Sequence, residues 1–330
     1  MAGQRRASAS PSLCVPDAVA AGLAAARDAL LAEVARLSAS ERAPKTAAGQ
    51  RAATAEAHSR LKQLSTTNDV TGVSFCGAAL HSAYFETKVQ RRGALAFRLL
   101  DACLRPECCA GAAPLLASLL PLPAPLVCAS IGGGPGTDAA GLAWALHLLV
   151  KRSSEVTLYD NERSWRRYTP LLQSLLRPLG VQSLRFSPAD VTHSLPAELE
   201  GCGHWTNKEI AGAARGTQLF LYSFVAHETA AAASASGWAF YADVAAAAPP
   251  GALFLFADVR APSATQVFTA IATAMQARLS RDCGCAKGCL SCLLATVQLT
   301  PPSGQPPFGA EVMLLVKAGT SERDTPDGPE

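Results

Sequence analysis

One stretch, from Leu126 to Asp160, limits what this chain can fold into. It opens with an apolar run, Leu126 to Ile131, that reads as a buried strand. The run breaks into Gly132, Gly133, Gly134 and Gly136, and an alanine- and leucine-rich helical pattern follows from Thr137 to about Lys151. A second apolar run, Val156 to Tyr159, ends in Asp160. Strand, glycine turn, helix, strand and acid make the βαβ unit that binds nucleotides. Glycine permits the tight turn and lets a ligand approach where a Cβ would clash. An acid at the end of the second strand can accept hydrogen bonds from both hydroxyls of a ribose.

The glycines fit two patterns. Gly134 to Ala139 satisfies Gly-x-Gly-x-x-Ala, the dinucleotide fingerprint. Gly132, Gly134 and Gly136 also give Gly-x-Gly-x-Gly, which resembles motif I of the class I S-adenosylmethionine-dependent methyltransferases. The rest of the chain separates the two. A short strand at Arg185–Phe186 and apolar runs at Gln218–Val225 and Ala252–Val259 alternate with helical patterns at Trp165–Leu179, Gly237–Ala248 and Ala264–Leu279 and with a loop and helix over Ala197–Arg215. Strands apolar along their whole length suit a parallel sheet covered on both faces. The last two runs, Leu293–Leu299 and Val312–Lys317, are joined by a proline- and glycine-rich loop with no helix between them, which suits antiparallel pairing. This arrangement looks like the class I methyltransferase sheet: α/β and Rossmann-like, seven strands with a terminal antiparallel hairpin, here preceded by a helical N-terminal region. A dinucleotide dehydrogenase would continue with helical crossovers instead.

The expected organisation is a tail at 1–15, a helical region at 16–120, a methyltransferase-like domain at 121–319 and a polar tail at 320–330. Within the helical region, amphipathic patterns run from Asp17 to Leu37, Thr46 to Leu64, within Val73 to Leu104, and Ala110 to Leu120. Of the chain's 330 residues 49% are hydrophobic and 17% charged, so a sizeable core is available. The net charge of +3 neither announces nor excludes a nucleic-acid partner. No apolar run of about 18 residues suggests a membrane span. With no secretory apolar region, the eleven cysteines read as reduced thiols of an intracellular protein of cytoplasm or nucleus; Arg5, Arg6 and the serines around them make a faint transit-peptide pattern whose plainer reading is a disordered tail.

The resemblance implies S-adenosyl-L-methionine as cofactor and carries over residue by residue. Gly132, Gly134 and Gly136 match the glycines that pass beneath its methionine and ribose portions, and Asp160 the acid that holds the ribose. Asp190, after the third strand, matches the acid that accepts from the adenine amino group, although Ser-Pro-Ala-Asp is also an ordinary turn with a cap. Ser130 departs from the acid common in the family: it can accept a hydrogen bond but brings no charge to the cofactor ammonium. Asp138 could compensate, yet an acid in a first helical turn is also favoured by the helix dipole.

Catalytic groups in such sheets sit beyond the carboxyl ends of the strands. At the end of the fourth strand stand Tyr222 and Ser223, followed by His227 and Glu228. His227 has the intrinsic range of a base and Glu228 could orient it, Tyr222 and Ser223 could line the pocket, and a merely polar helix start is the plainer alternative. The Asn/Asp-Pro-Pro-aromatic signature of amino-adenine methylation and the Pro-Cys of cytosine C5 chemistry are both missing there. On the acceptor side, His81, Tyr84, Phe85 and Lys88 share neighbouring helical faces, with Arg91 and Arg92 following; aromatics with cations could stack a base and hold phosphate, against the simpler reading of a core stripe with a wet cationic edge. RNA is therefore the first acceptor expected, then protein or a small molecule, with a cofactor-binding scaffold or sensor and an NAD-dependent oxidoreductase as the alternatives. Cys283, Cys285, Cys289 and Cys292 put four thiols in ten residues, but structural zinc prefers two separated pairs, so reduced loop thiols and no metal are expected.

Overall fold

The computed structural model describes residues 14–40, 49, 52–53, 55–61, 77–105, 108, 125–195, 207–258, 260, 262–283, 294–297 and 310–317. The helix expected at Ala110–Leu120, both tails apart from residues 14 and 15, and Cys285, Cys289 and Cys292 lie outside them.

The described residues form a mixed sheet of β1 (Leu126–Ile131), β2 (Ser154–Asp160), β3 (Val181–Pro188), β4 (Leu219–Ser223), β5 (Leu253–Asp258), β6 (Leu294–Val297) and β7 (Glu311–Lys317), in the order β3-β2-β1-β4-β5-β7-β6. The first five strands run parallel, and β7 pairs antiparallel with both β5 and β6. The helices are α1 (Asp17–Ser40), α2 (Ala78–Leu104), α3 (Thr137–Ala145), α4 (Thr169–Leu176), α5 (Lys208–Ala213), α6 (Val225–Glu228), α7 (Ala230–Ala235), α8 (Ala239–Ala247) and α9 (Pro262–Cys283). Residues 55–61 are also helical. None of the described helices is long and apolar enough to cross a membrane.

Two-residue periodicity sorts the strand side chains onto two faces. Leu126, Cys128, Val156, Leu158, Leu219, Leu221, Leu253 and Leu255 face a core completed by α1, α2, α3 and α4. Ala129, Ile131, Tyr159, Phe220, Tyr222, Phe254 and Phe256 face a core completed by α5, α8 and α9. On this second face adjacent strands stack their rings: Phe220 on Phe254 at 4.9 Å, and Tyr222 on Phe256 at 4.4 Å. The N-terminal helices share the first core, since Val19 and Leu23 of α1 and Leu95 to Cys103 of α2 are part of it. The α2–α3 crossing depends on a pair of glycines: a Cβ on Gly141 would stand 1.9 Å from the carbonyl oxygen of Gly93.

Three elements differ from expectation for identifiable reasons. The third strand extends over Val181–Pro188 because it is an edge strand whose exposed Gln182 and Arg185 hide the pattern, and a register shift at Ser154/Glu155 skips Gln182 in the pairing. β4 stops at Ser223 because Phe224 takes φ 61°, so Val225 begins a helical turn rather than ending the strand. The helix after the glycines changes to a π turn at Leu146–Val150, which Lys151 ends at φ 55°.

At the far end of the sheet, Lys317 of β7 caps α8. Its buried Nζ donates to the carbonyls of Ala245 (3.0 Å), Ala246 (3.0 Å) and Ala248 (2.5 Å). A cation at a helix C-terminus satisfies carbonyls that have no partner within the helix.

Candidate functional site

Register brings the site residues to one edge. Ile131 of β1 lies between Tyr159 of β2 and Tyr222 of β4, and Tyr222 in turn opposes Phe256 of β5. The residues just beyond are therefore neighbours: Gly132, Asp160, Ser223 and, two further along β5, Asp258. This is the carboxyl edge at the point where the strand order reverses between β1 and β4, where open α/β sheets bind ligands.

The glycine turn needs its glycines. Gly132, Gly134 and Gly136 have φ of 66°, 50° and 91°, in the left-handed region that excludes most side chains. A Cβ on Gly132 would come within 2.4 Å of Val225, and one on Gly136 within 2.4 Å of Leu172. Gly134 is different: its Cβ position faces the Tyr84 hydroxyl at 3.4 Å, the Trp165 indole nitrogen at 3.8 Å and the Asp160 carboxylate at 3.9 Å. The three atoms nearest that position are all polar side-chain atoms.

Asp160 ties the turn to β2. Its Oδ2 accepts from the Gly134 amide (2.8 Å) and its Oδ1 from the Glu162 amide (2.9 Å), leaving a further lone pair on each oxygen. Burial pushes its pKa up to about 6, against these two amides and Arg92, which favour the charge.

Around the turn stand more ionisable groups than the motif reading contained. Asp138, in the first turn of α3, is wholly buried; burial raises its pKa to about 6, while Arg92 and the hydroxyls of Ser223 and Thr137 favour its charge. Its Oδ2 has no hydrogen-bond partner, and neither has Ser130 Oγ. Asp258 is wholly buried at the end of β5, where its Oδ2 accepts from the His227 amide at 2.8 Å. Glu228 is held above the ordinary carboxylate range by burial, helped by Asp258 and Asp160 and opposed by Arg92; 38% of its side chain is still open to water, which tempers the shift.

Arg92 sits among them, 8% exposed. Its Nη1 donates to the Tyr84 hydroxyl (2.9 Å), its Nη2 reaches Glu228 Oε1 at 3.5 Å, and its guanidinium lies 4.4 Å from the centre of the Phe224 ring. Burial works against its charge, but Tyr84, Glu228, Asp138 and Asp258 outweigh that and hold its pKa above the usual value. The strained backbone of Phe224 is what lays that ring against the guanidinium.

The proposed site residues divide by where they stand. Ser130, Gly132, Gly134, Gly136, Asp160 and Ser223 gather at the edge. His227 stands there too, its ring buried and both ring nitrogens without a hydrogen-bond partner. Tyr222 is core: its ring stacks on Phe256, and burial drives its pKa well up. Asp190 serves its own turn, accepting from the Thr192 amide and hydroxyl and approaching the His193 imidazole at 3.2 Å. Tyr84 is 5% exposed, with its ring 5.1 Å from Trp165, so it closes over the glycine turn rather than offering a stacking surface to an acceptor. Phe85 and His81 are buried beside it, His81 bridging the Tyr168 hydroxyl (2.7 Å) and Ser164 (3.1 Å). Lys88 is half-buried, and burial lowers its pKa. Asp258 and the inward turn of Arg92 are the additions. Asp258 ends an apolar strand as Asp160 does, and Arg92 lies eight residues from Tyr84 on the same helical face. Among the described residues, no group of His, Cys, Asp and Glu is arranged to hold a metal.

No protein-family model matches the chain, and no curated protein matches it in sequence. Among solved structures it is similar to the DszA carbon methyltransferase, at 12% identity over 94% of this chain and 95% of that one, with a TM-score of 0.35. It is similar also to apo CalS11, a TDP-rhamnose 3'-O-methyltransferase of calicheamicin biosynthesis, at 15% identity over 79% and 93% with a TM-score of 0.34. The YcgJ protein of Bacillus subtilis follows at 16% identity over 56% and 68%, with a TM-score of 0.31. At such scores nothing about activity follows from the likeness. The fold rests on the sheet itself: a parallel α/β sheet with its order reversed after β1 and its last strand inserted antiparallel gives this chain the class I methyltransferase fold.

Proposed function

We propose that the chain is an S-adenosylmethionine-dependent methyltransferase. The observation that carries this is the bond from the Gly134 amide to Asp160 at the reversal of strand order, which makes the glycine turn and the acid of β2 one unit. The residues fit the cofactor. The ligand side of Gly134 is a place that a Cβ would fill, Asp160 has unused lone pairs for ribose hydroxyls, and buried oxygens of Asp138 and Ser130 lack donors. Gly132 to Gly136 would pass under the methionine and ribose portions. The cofactor would supply a methyl group on a sulfonium, so the chain has to orient an acceptor and take up its proton where it has one.

The end of β4 serves that need. His227 carries two buried ring nitrogens without partners, and the bond from its amide to Asp258 fixes the turn that holds it. Glu228 beside it is biased toward its protonated form, the form a base adopts after accepting a proton. RNA, proteins and small molecules are all to be screened as acceptors; the burial of Tyr84 and Phe85 withdraws the stacking argument that placed RNA first.

A second reading, a cofactor-binding scaffold or sensor without turnover, is favoured by one observation: Tyr84, bonded by Arg92, covers Gly134 from α2. Binding of cofactor with no methyl transfer to RNA, protein or metabolite pools would select it.

The test is calorimetric titration with S-adenosylmethionine, S-adenosylhomocysteine and NAD. The first two should bind, and Asp160→Ala should weaken them about a hundredfold, two charge-assisted hydrogen bonds being worth about 3 kcal/mol together. Binding of NAD alone would return the glycines to the dinucleotide pattern and end the proposal.

A further inference from the structure

Behind the end of β4, four buried polar atoms lack hydrogen-bond partners: the hydroxyls of Tyr222 and Tyr241 and both ring nitrogens of His227. Tyr222, Tyr241 and His227 are 1%, 0% and 6% exposed. The two tyrosine rings lie 5.3 Å apart, centre to centre. Thr229, two residues past His227, comes close to the Tyr241 hydroxyl but spends its own proton on the Val225 carbonyl (2.7 Å). Asp258 accepts from the His227 amide and lies within electrostatic reach of Tyr241. A buried phenol ordinarily finds a partner for its O–H, and an unmet one costs free energy. Packing alone would be served as well by phenylalanine, which this face of the sheet uses at Phe220, Phe254 and Phe256. The hydroxyls therefore call for another account.

The surroundings narrow what these groups can receive. Tyr222 stacks on Phe256, and Tyr241 lies 6.0 Å from the ring of Trp238, which is half-buried and held at φ 61° just before α8. Lys317 caps the far end of α8, so Trp238 stands at the carboxyl edge. Among the described residues no cation acts on either hydroxyl: burial and Tyr241 govern Tyr222, while burial, Thr229 and Asp258 govern Tyr241. A phosphate or carboxylate brought here would lose its water with nothing to balance the charge. An uncharged aromatic hydroxyl suits both features, with a flat apolar body for the rings and an O–H that donates and accepts.

Resting on the methyltransferase reading, we infer that Tyr222, Tyr241 and His227 form the acceptor subsite, and that the acceptor is a small uncharged phenol methylated on oxygen. Tyr222 pairs with Ile131, the residue before the glycine turn, so the subsite borders the place assigned to the cofactor. Trp238, the half-exposed ring of the group, is the side of entry. The tyrosine hydroxyls hold the acceptor oxygen. As its bond to the methyl carbon forms, the C–S bond of the sulfonium breaks to leave a neutral thioether, and the hydroxyl proton passes to an unpartnered nitrogen of His227.

Two probes of nearly the same shape test the subsite. Phenol and toluene are titrated into the full chain saturated with S-adenosylhomocysteine, and into Tyr222→Phe and Tyr241→Phe, with binding read by ligand-observed NMR. In the parent, phenol should bind about tenfold more tightly than toluene, since only its hydroxyl can meet the unpaired groups. Each variant should weaken phenol about fivefold to tenfold and leave toluene within about twofold. Both variants should keep the affinity for S-adenosylhomocysteine and an unfolding midpoint equal to the parent's or higher, because a hydroxyl without a partner gives folding nothing. Equal binding of phenol and toluene, no binding of phenol, or unchanged phenol affinity in both variants overturns the assignment. A lowered midpoint with phenol affinity intact means that the hydroxyls hold ordered water only, and overturns it as well. Failure of S-adenosylhomocysteine to bind the parent overturns the methyltransferase reading itself, an outcome distinct from all of these.

Discussion

Replacing Asp138 by asparagine removes a charge that folding has to strip of water. The carboxyl is wholly buried, and its pKa moves from 3.8 to about 6 on folding. An acid whose pKa is raised by folding binds its proton more tightly in the native chain than in the unfolded one. Its effect is neutral below pH 3.8, becomes unfavourable as the pH climbs toward 6, and stays constant above that. The full effect is about 3 kcal/mol, taking about 1.4 kcal/mol for each tenfold change in proton affinity. Asparagine is close to isosteric with the neutral acid, but its amide needs an acceptor, and a poorly met one returns about 1–2 kcal/mol. Asp138→Asn should therefore stabilise the protein by about 1–3 kcal/mol at pH 8, and leave it unchanged or up to about 2 kcal/mol less stable at pH 4. Asp160 and Glu228 impose slopes of the same sign, but they are present in both chains and largely cancel in the difference. The assay is guanidinium unfolding of parent and variant at half-unit steps from pH 4 to 8, comparing midpoints at constant slope. Parallel curves across that range, or a variant less stable than the parent at pH 8, would refute the reasoning.

Other perturbations test other parts of the structure. Lys317→Met leaves three carbonyls at the end of α8 without their donor and should lower stability by about 2–4 kcal/mol, read as a fall in denaturation midpoint with an unchanged slope. Gly141→Ala drives a methyl group into the Gly93 carbonyl; α2 and α3 must part, and stability should drop by about 2–3 kcal/mol, whereas Gly212→Ala, which meets nothing within 4 Å, should be neutral or mildly stabilising. In Asp160→Asn, Oδ2 can become an amide that no longer accepts from Gly134, so nucleoside binding should fall while the unfolding midpoint at pH 8 holds or rises; a midpoint that falls with binding intact would make Asp160 a purely structural acid.

The central βαβ unit was legible because its signals are local. An apolar run, four glycines and a terminal acid each state a backbone requirement that no distant contact can overrule, and the turn at Gly132–Gly136 has the left-handed geometry those glycines permit. The terminal antiparallel pair was legible from a missing helix. What the sequence did not disclose depends on contacts between distant segments. Phe224 is bulky and nothing marks it for a positive φ; the conformation follows from β4 ending against β5, where its amide bonds the Ala257 carbonyl at 2.7 Å. Arg92 lies on the same helical face as Tyr84, but a cation near the end of an amphipathic stripe reads as solvated, and only the facing acids of α3, β5 and α6 explain its burial. Asp190 illustrates the converse: motif and turn read identically in sequence, and its Oδ1 accepts from the Thr192 amide and hydroxyl within the turn.

The insertion of β7 between β5 and β6 bears on how the chain is made. β5 reads Leu-Phe-Leu-Phe-Ala-Asp and is buried along its length, yet the strand that covers its free edge is the last of the seven to leave the ribosome. Until then the nascent chain presents a bare apolar edge, a template for pairing with another molecule. Sealing it is a non-local step, and pairing of this kind is slow. Yield in the cell should thus be governed by chaperone supply during the final stage of synthesis more than by the stability of the finished protein. Truncation before Glu311 should raise the aggregated fraction, with β1 to β5 already made.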